Sequence, residues 1–249
     1  FEGLGALAGL DSLALTTNGS QLADSGHALR DAGVNSINIS LDSLQAERFK
    51  AITRIGDLNT VLRGIDHAVE CGFDRIRLNA VILDGLNRDE VVPLTHYALE
   101  RGIHIAFIEE MPLGQVNVGG KPLAYVSSDT LQEELAEHFT LVPMTPSDTA
   151  GPARDFLIAG SQTQVGFISP HSHNFCAQCN RLRISAEGRL LMCLGNEESI
   201  DLRGLLRTGS TDEEIKTTII ESLSIKPERH VFDQPEEPQI VRFMNVTGG

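Results

Sequence analysis

Residues 12 to 111 alternate between short apolar runs and longer amphipathic patterns, and this alternation constrains the fold more than any other feature. "SLALTTNG" (12–19) predicts a strand running out into a polar loop, and "QLADSGHALRDAG" predicts a helix stopped by Gly33. "SINISLD" (36–42) is the next strand, followed by the short helical "LQAERFKAI". "DLNTVLRGIDHAVECG" then predicts a longer helix with Asp57 as N-cap and Gly72 as its stop. "RIRLNAVIL" (75–83), "NRDEVVPLTHYALERG" and "IHIAFIEEM" (103–111) continue as strand, helix and strand. Strands and helices alternating at this spacing predict βαβ units around a parallel sheet.

Ligands of parallel α/β folds sit at the carboxyl ends of the strands. The polar residues at those ends are Thr16, Thr17 and Asn18, then Ser40 and Asp42, then Asn79, then Glu109, Glu110 and Met111. The second half changes character. "GGKPLAYVSSDTLQEELAEHF" predicts a linker and an amphipathic helix capped by Ser127 or Ser128. "ARDFLIAGSQTQVGFIS" predicts an antiparallel pair around Gly160-Ser161, and "RLRISAEGRLLMCL" a second hairpin turning at Glu187-Gly188. "DLRGLLR" and "TDEEIKTTIIESL" predict helices, the opening "FEGLGALAGL" another, and the Pro-rich tail is irregular. The expected class is α/β, with an incomplete barrel-like part over 1–124 and a smaller, hairpin-bearing C-terminal part over 125–249.

The smaller part holds three of the four cysteines: Cys176 and Cys179 form a C-x2-C pair, and Cys193 follows thirteen residues after it. A hairpin brings its two strand ends together, so this spacing converges three thiols on one point. Thiolate sets of this kind suit zinc or iron–sulfur. Spacing leaves three readings open: a zinc knuckle completed by His171 or His173, which it favours slightly, an iron–sulfur site, and a redox pair. Cys71 falls at a largely apolar position of a helical pattern and reads as a small buried residue. The formal charge of −14 speaks against broad binding to nucleic acid or anionic membrane, and no apolar run approaches the length of a membrane span. Four cysteines in 249 residues do not resemble a secreted disulfide framework, so a cytoplasmic location is expected.

The C-x2-C-x13-C spacing, the Arg181-Leu182-Arg183 run after the second cysteine and the terminal Gly248-Gly249 together resemble the molybdenum cofactor biosynthesis protein A family. "LTTNG" (15–19), "NISLDSL" (38–44), "ITRIGDLNTVLRGIDHAVECGF" (52–73) and "RLNAVILDGLN" (77–87) resemble its successive barrel segments. The family consists of radical S-adenosylmethionine enzymes acting as GTP 3′,8-cyclase, the first step of molybdenum cofactor synthesis. The resemblance implies cleavage of S-adenosylmethionine to a radical that takes a hydrogen atom from C3′ of GTP, followed by ring closure onto C8.

It also implies roles for single residues. Cys176, Cys179 and Cys193 would hold a [4Fe–4S] cluster with one iron open to GTP. Arg181, Leu182 and Arg183 would line the substrate, and Arg181, Arg183, Gly248 and Gly249 would act in catalysis. Thr16 matches a GTP contact, Ser40 and Met111 match S-adenosylmethionine contacts, and Arg77 stands where the family more often has a substrate-binding lysine. The expected partners are GTP, S-adenosylmethionine, a second copy in a homodimer, and cyclic pyranopterin monophosphate synthase as the next enzyme, with no nucleic acid or membrane.

The family's N-terminal C-x3-C-x2-C and Gly-Gly-Glu-Pro loop do not occur in this sequence. The expectation is a longer intact protein whose upstream part carries a second [4Fe–4S] cluster. The sequence as it stands would then not cleave S-adenosylmethionine. A natural paralogue lacking that cluster is the other explanation. Two further readings stay open: another radical S-adenosylmethionine enzyme with an auxiliary cluster, such as a peptide-modifying maturase, and a non-catalytic zinc-binding barrel protein.

Overall fold

The structure is a computed structural model that describes residues 1–111, 125–145 and 151–230. Among these residues the chain divides into two compact units. The first holds 1–110 and 125–172, and the second holds Met111 and 173–230.

The first unit opens with α1 (Glu2–Gly5), β1 (Ala14–Thr17), α2 (Leu22–Asp31) and β2 (Ser36–Ser40). It continues through α3 (Ala46–Thr53), α4 (Leu58–Glu70), β3 (Arg75–Ile82), α5 (Val91–Glu100) and β4 (His104–Glu109). After α6 (Ser128–Ala136) come β5 (Leu141–Pro143), β6 (Arg154–Ile158) and β7 (Gln164–Ile168). The seven strands form one sheet in the order β1-β2-β3-β4-β7-β6-β5. Neighbours from β1 to β7 pair in parallel, and β6 and β5 are antiparallel additions.

Sequential order matters for where chemistry can sit. Parallel strands joined by right-handed crossovers and advancing in one direction put every crossover helix on the same face. That face is apolar: Ile37, Ile39, Leu78, Ile82, Ile105, Phe107 and Phe167 of the strands pack with Leu22, Val61, Ile65, Ala68 and Leu94 of the helices. The other face carries the polar Asn38, Arg77, Asn79 and His104 together with half-buried Val81, Ile108 and Ile168.

Local signals explain the helices. Asp57 begins α4 by accepting the Thr60 N–H at 3.1 Å, and Ser127 begins α6 by accepting that of Thr130 at 3.2 Å. Gly64 is where α4 meets the turn that leads into α2. A Cβ there would meet the Gly19 carbonyl oxygen at 2.5 Å, so only glycine permits the approach.

The second unit is built on a three-stranded antiparallel sheet of β8 (Arg183–Ile184), β9 (Arg189–Leu191) and β10 (Ser199–Asp201) in the order β10-β9-β8. The β8–β9 turn uses Gly188 at φ +77°. The helices α7 (Leu202–Arg207) and α8 (Asp212–Ser222) follow, and α8 opens on a reciprocal Thr211–Glu214 capping box. Its core is small: Leu190, Met192 and Leu202, with Ile200, Leu205, Ile215 and Ile219 against them.

The structure departs from expectation in three places. The opening helix spans only Glu2–Gly5, because Gly3, Gly5 and Gly9 weaken helical continuation. The hairpin around Gly160-Ser161 joins the main sheet, since its apolar Phe156, Ile158, Val165 and Phe167 belong to the main core. The strands β5 and β10 have three residues each, too short to leave a period in the sequence.

Candidate active site

Two clusters of functional residues emerge, one in each unit. In the first unit the residues facing away from the helices form lateral rows across the sheet. Thr16, Asn38, Arg77 and His104 lie in one row, and Ser40, Asn79, Ala106, Gly166 and Asp155 in the next. Thr16 and Ser40 are exposed and belong to this polar face, as the spacing predicts for strand ends.

Asn79 carries a buried amide oxygen with no hydrogen-bond partner among the described residues. Unpaired buried acceptors are uncommon in finished structures and suit a surface that receives a ligand.

Arg77, expected to serve the substrate, is buried. Its guanidinium reaches over Ala106 and Gly166 to donate to Asp155 at 2.6 Å, and Arg75 lies 3.6 Å from the same carboxylate. Small residues beneath make this reach possible, for a Cβ on Gly166 would meet Asp155 Oδ1 at 2.5 Å. His104, beside the two arginines, accepts the Gln164 N–H at Nδ1. Burial, with Arg75 and Arg77 adding to it, pushes its pKa down to about 4, so the ring is neutral at pH 7.

Two strand-end carboxylates have different fates. Asp42 accepts the Val81 N–H at 2.8 Å, and desolvation pushes its carboxyl up to about 6 although part of the residue still meets solvent. Burial would also raise Glu109. The Ser172 hydroxyl and the N–H groups of Ser128, Ser172 and His171 outweigh it, and its carboxyl lies below the usual range. Those N–H groups donate at 2.8, 3.1 and 2.9 Å, so Glu109 ties the end of β4 to α6 and to the chain after β7. Its lone pairs are fully used, which suits a structural anchor and not proton transfer.

In the second unit the three cysteines share a distinctive environment. Cys176 Sγ accepts the His230 N–H at 3.4 Å, Cys193 Sγ accepts the Gly195 N–H at 3.3 Å, and Lys226 Nζ lies 3.7 Å from Cys179 Sγ. Lys226 is fixed there by donating to the carbonyls of Arg181 and Met192 at 2.7 and 3.1 Å. Every sulfur therefore has a separate N–H donor. Burial pushes the Cys193 thiol up. The Gly195 N–H opposes that rise, while Cys176 and Cys179 add to it.

Arg181 and Arg183 flank this cluster, both half-buried, with Leu182 and Ile184 exposed between and beyond them. Desolvation lowers the pKa of both guanidiniums, and neither has an ion-pair partner among the described residues. Two desolvated cations with no counter-ion among the described residues suit an anionic ligand.

Mononuclear zinc fits less well. A tetrahedral ion with Zn–S near 2.3 Å holds its thiolates about 3.8 Å apart. Among the described residues, these three sulfurs do not all lie within 4.8 Å of one another. His171, a candidate fourth ligand, places Nε2 2.7 Å from the Glu110 carbonyl oxygen and stacks on Tyr125. Met111 is half-buried two residues beyond β4, and Gly248-Gly249 lie outside the described residues. Sequence reasoning did not find Lys226 or His230, which follow Cys193 by more than thirty residues in an irregular stretch.

Among the described residues no helix is long and apolar enough to cross a membrane. Comparison with known proteins matches residues 4–98 to the Radical SAM superfamily and residues 103–232 to Molybdenum Cofactor Synthesis C. A GTP 3′,8-cyclase of Saccharophagus degradans is 51% identical over 250 residues, covering 100% of this chain and 75% of that protein. One of Pseudomonas putida strain W619 is 53% identical over 248 residues, covering 99% and 74%. Among solved structures, Streptococcus suis SuiB bound to S-adenosylmethionine superposes with a TM-score of 0.53 at 14% identity, over 82% of this chain and 49% of that one. That likeness concerns the fold alone. With both family regions matched in order and half the residues shared with curated relatives, the chain belongs to the GTP 3′,8-cyclase family of radical S-adenosylmethionine enzymes.

Proposed function

We infer that the intact protein is a GTP 3′,8-cyclase acting in molybdenum cofactor synthesis. The observation that carries the substrate assignment is the pair of half-buried guanidiniums, Arg181 and Arg183, which have no ion-pair partner among the described residues and lie beside three hydrogen-bonded thiols. S-adenosylmethionine and [4Fe–4S] clusters supply the radical chemistry, and the protein binds, orients and excludes water.

Cys176, Cys179 and Cys193 fit an iron–sulfur cluster, because cluster-ligating sulfurs accept N–H hydrogen bonds and spread wider than around one zinc. Three thiolates holding a four-iron cluster would leave one iron for the substrate. Arg181 and Arg183, with Leu182 between them, would hold GTP by charge-assisted hydrogen bonds, and Gly248 and Gly249 would close on it.

On the polar face of the sheet, Thr16 would contact GTP and Ser40 would contact S-adenosylmethionine, with Met111 beside the latter's adenine. Arg77 would serve the substrate as a cation already oriented by Asp155. A second cluster upstream, a homodimer, a reducing cytoplasm and cyclic pyranopterin monophosphate synthase as the next enzyme complete the proposal.

Lys226 gives a test that does not depend on turnover. Its ammonium, 3.7 Å from Cys179 Sγ, would stabilise the more negative, reduced state of a cluster held there, so Lys226→Met should lower that cluster's potential by on the order of 50–100 mV. A redox titration followed by electron paramagnetic resonance reads this shift. An unchanged potential in a cluster-loaded variant would contradict the placement.

The function itself is tested by binding GTP, ATP and an unrelated peptide to the intact, anaerobically reconstituted protein. GTP should bind most tightly and be converted to the 3′,8-cyclised nucleotide. Equal affinities for the three, or turnover of the peptide, would favour a different radical enzyme.

A further inference from the structure

A second group of metal-type side chains lies on the helical side of the first unit, apart from every residue assigned above. His27 of α2, His67 of α4 and Cys71 at the C-terminus of α4 place one ligand atom each within 4.8 Å of one another. His67 and Cys71 are four residues apart, and Cys71 keeps helical dihedrals (φ −66°, ψ −15°), so both lie on one face of α4. His27 comes across from α2, its ring edge-on to His67 with centroids 5.0 Å apart.

Glycine at position 26 makes the meeting possible. A Cβ there would stand 2.8 Å from Cys71 Sγ and 3.0 Å from His67 Cδ2. The same position lies 3.4 Å from His67 Nε2. Nδ1 has Glu70 Oε2 at 3.5 Å. A carboxylate behind the non-ligating nitrogen is the arrangement that orients metal-binding histidines.

We propose that His27, His67 and Cys71 form a zinc(II) site that joins α2 to α4. Two imidazoles and one thiolate suit this borderline-soft ion, and three protein ligands leave a fourth tetrahedral position for water. His27 is exposed, which gives the ion a route in, while His67 and Cys71 are half-buried. Binding releases the thiol proton from Cys71 to solvent, with no change of oxidation state. The site adds a cross-link between two helices that cover the core and takes no part in the radical reaction.

The test titrates zinc into the intact protein with its clusters loaded, anaerobically, against a chromophoric chelator. One equivalent should bind with iron content unchanged, and zinc-edge X-ray absorption should show two nitrogens near about 2.0 Å and one sulfur near about 2.3 Å. Cys71→Ser should weaken binding by at least about 100-fold, and His67→Ala by a similar factor, since each removes one of three ligands. If either helix variant fails to fold, His27→Gln at its exposed position should still weaken binding by at least about tenfold. Failure to bind one equivalent, equal affinity across the variants, or a zinc shell with three sulfurs would overturn the proposal. The last result would place the ion on Cys176, Cys179 and Cys193.

Discussion

Replacing Arg181 or Arg183 by leucine should lower kcat/KM for GTP by about 10²–10³ while leaving the iron content of the protein intact. Each guanidinium is half-buried beside the thiols and has no counter-ion among the described residues, so its charge is available to the ligand. Losing one charge-assisted hydrogen bond of this kind removes about 3–4 kcal/mol of transition-state stabilisation, at about 1.4 kcal/mol per tenfold. Leucine keeps similar bulk, so the hairpin should fold. Lysine should rescue only part of the loss, because a point charge cannot reproduce a bidentate fork. Steady-state kinetics with iron analysis on the same preparations reads the effect. Turnover within twofold of the parent would show that these arginines only decorate a hairpin.

The second large effect concerns stability. Glu109→Ala should destabilise the first unit by about 3–5 kcal/mol, because it strands several buried donors at once. The N–H groups of Ser128, His171 and Ser172 and the Ser172 hydroxyl all point at one carboxylate that is 1% exposed. The pH dependence follows from the direction of its shift. Its pKa in the folded protein lies below the usual 4.5, so its contribution is fully present at neutral pH. That contribution is lost as pH falls through the depressed value. Urea midpoints of parent and variant at pH 7 and pH 3.5 measure both claims: the gap should be wide at pH 7 and narrower at pH 3.5. A gap that does not depend on pH would mean that Glu109 acts through packing alone.

Much of the fold was legible because its signals are local. The β-branched alternation of 36–40 and 75–82 marks strands, Asp57 and Ser127 cap the helices that follow them, and Gly188 turns the second hairpin. Strands of three residues, such as Leu141–Pro143 and Ser199–Asp201, carry too few positions to show a period. The candidate site divides in the same way. Cys176, Cys179, Arg181 and Arg183 are close in sequence, and their spacing already suggested a thiol site with cations beside it.

Three features depend on tertiary contacts, and no spacing rule reaches them. Lys226 approaches Cys179 across forty-seven positions. Asp155 takes Arg77 across seventy-eight, so the arginine expected to serve the substrate is held in a buried ion pair. Cys71 read as a small buried residue because its partner His27 sits on another helix, brought near by Gly26.

The central claim is that Cys176, Cys179 and Cys193 hold an iron–sulfur cluster with one open iron. Iron and acid-labile sulfide should therefore be counted in the intact, anaerobically purified protein and in a variant with all three cysteines changed to serine. The account predicts that the variant loses about four iron and about four sulfide per chain, together with GTP binding, while keeping its S-adenosylmethionine affinity. Unchanged iron in the variant, or loss of one zinc instead of iron, would contradict it.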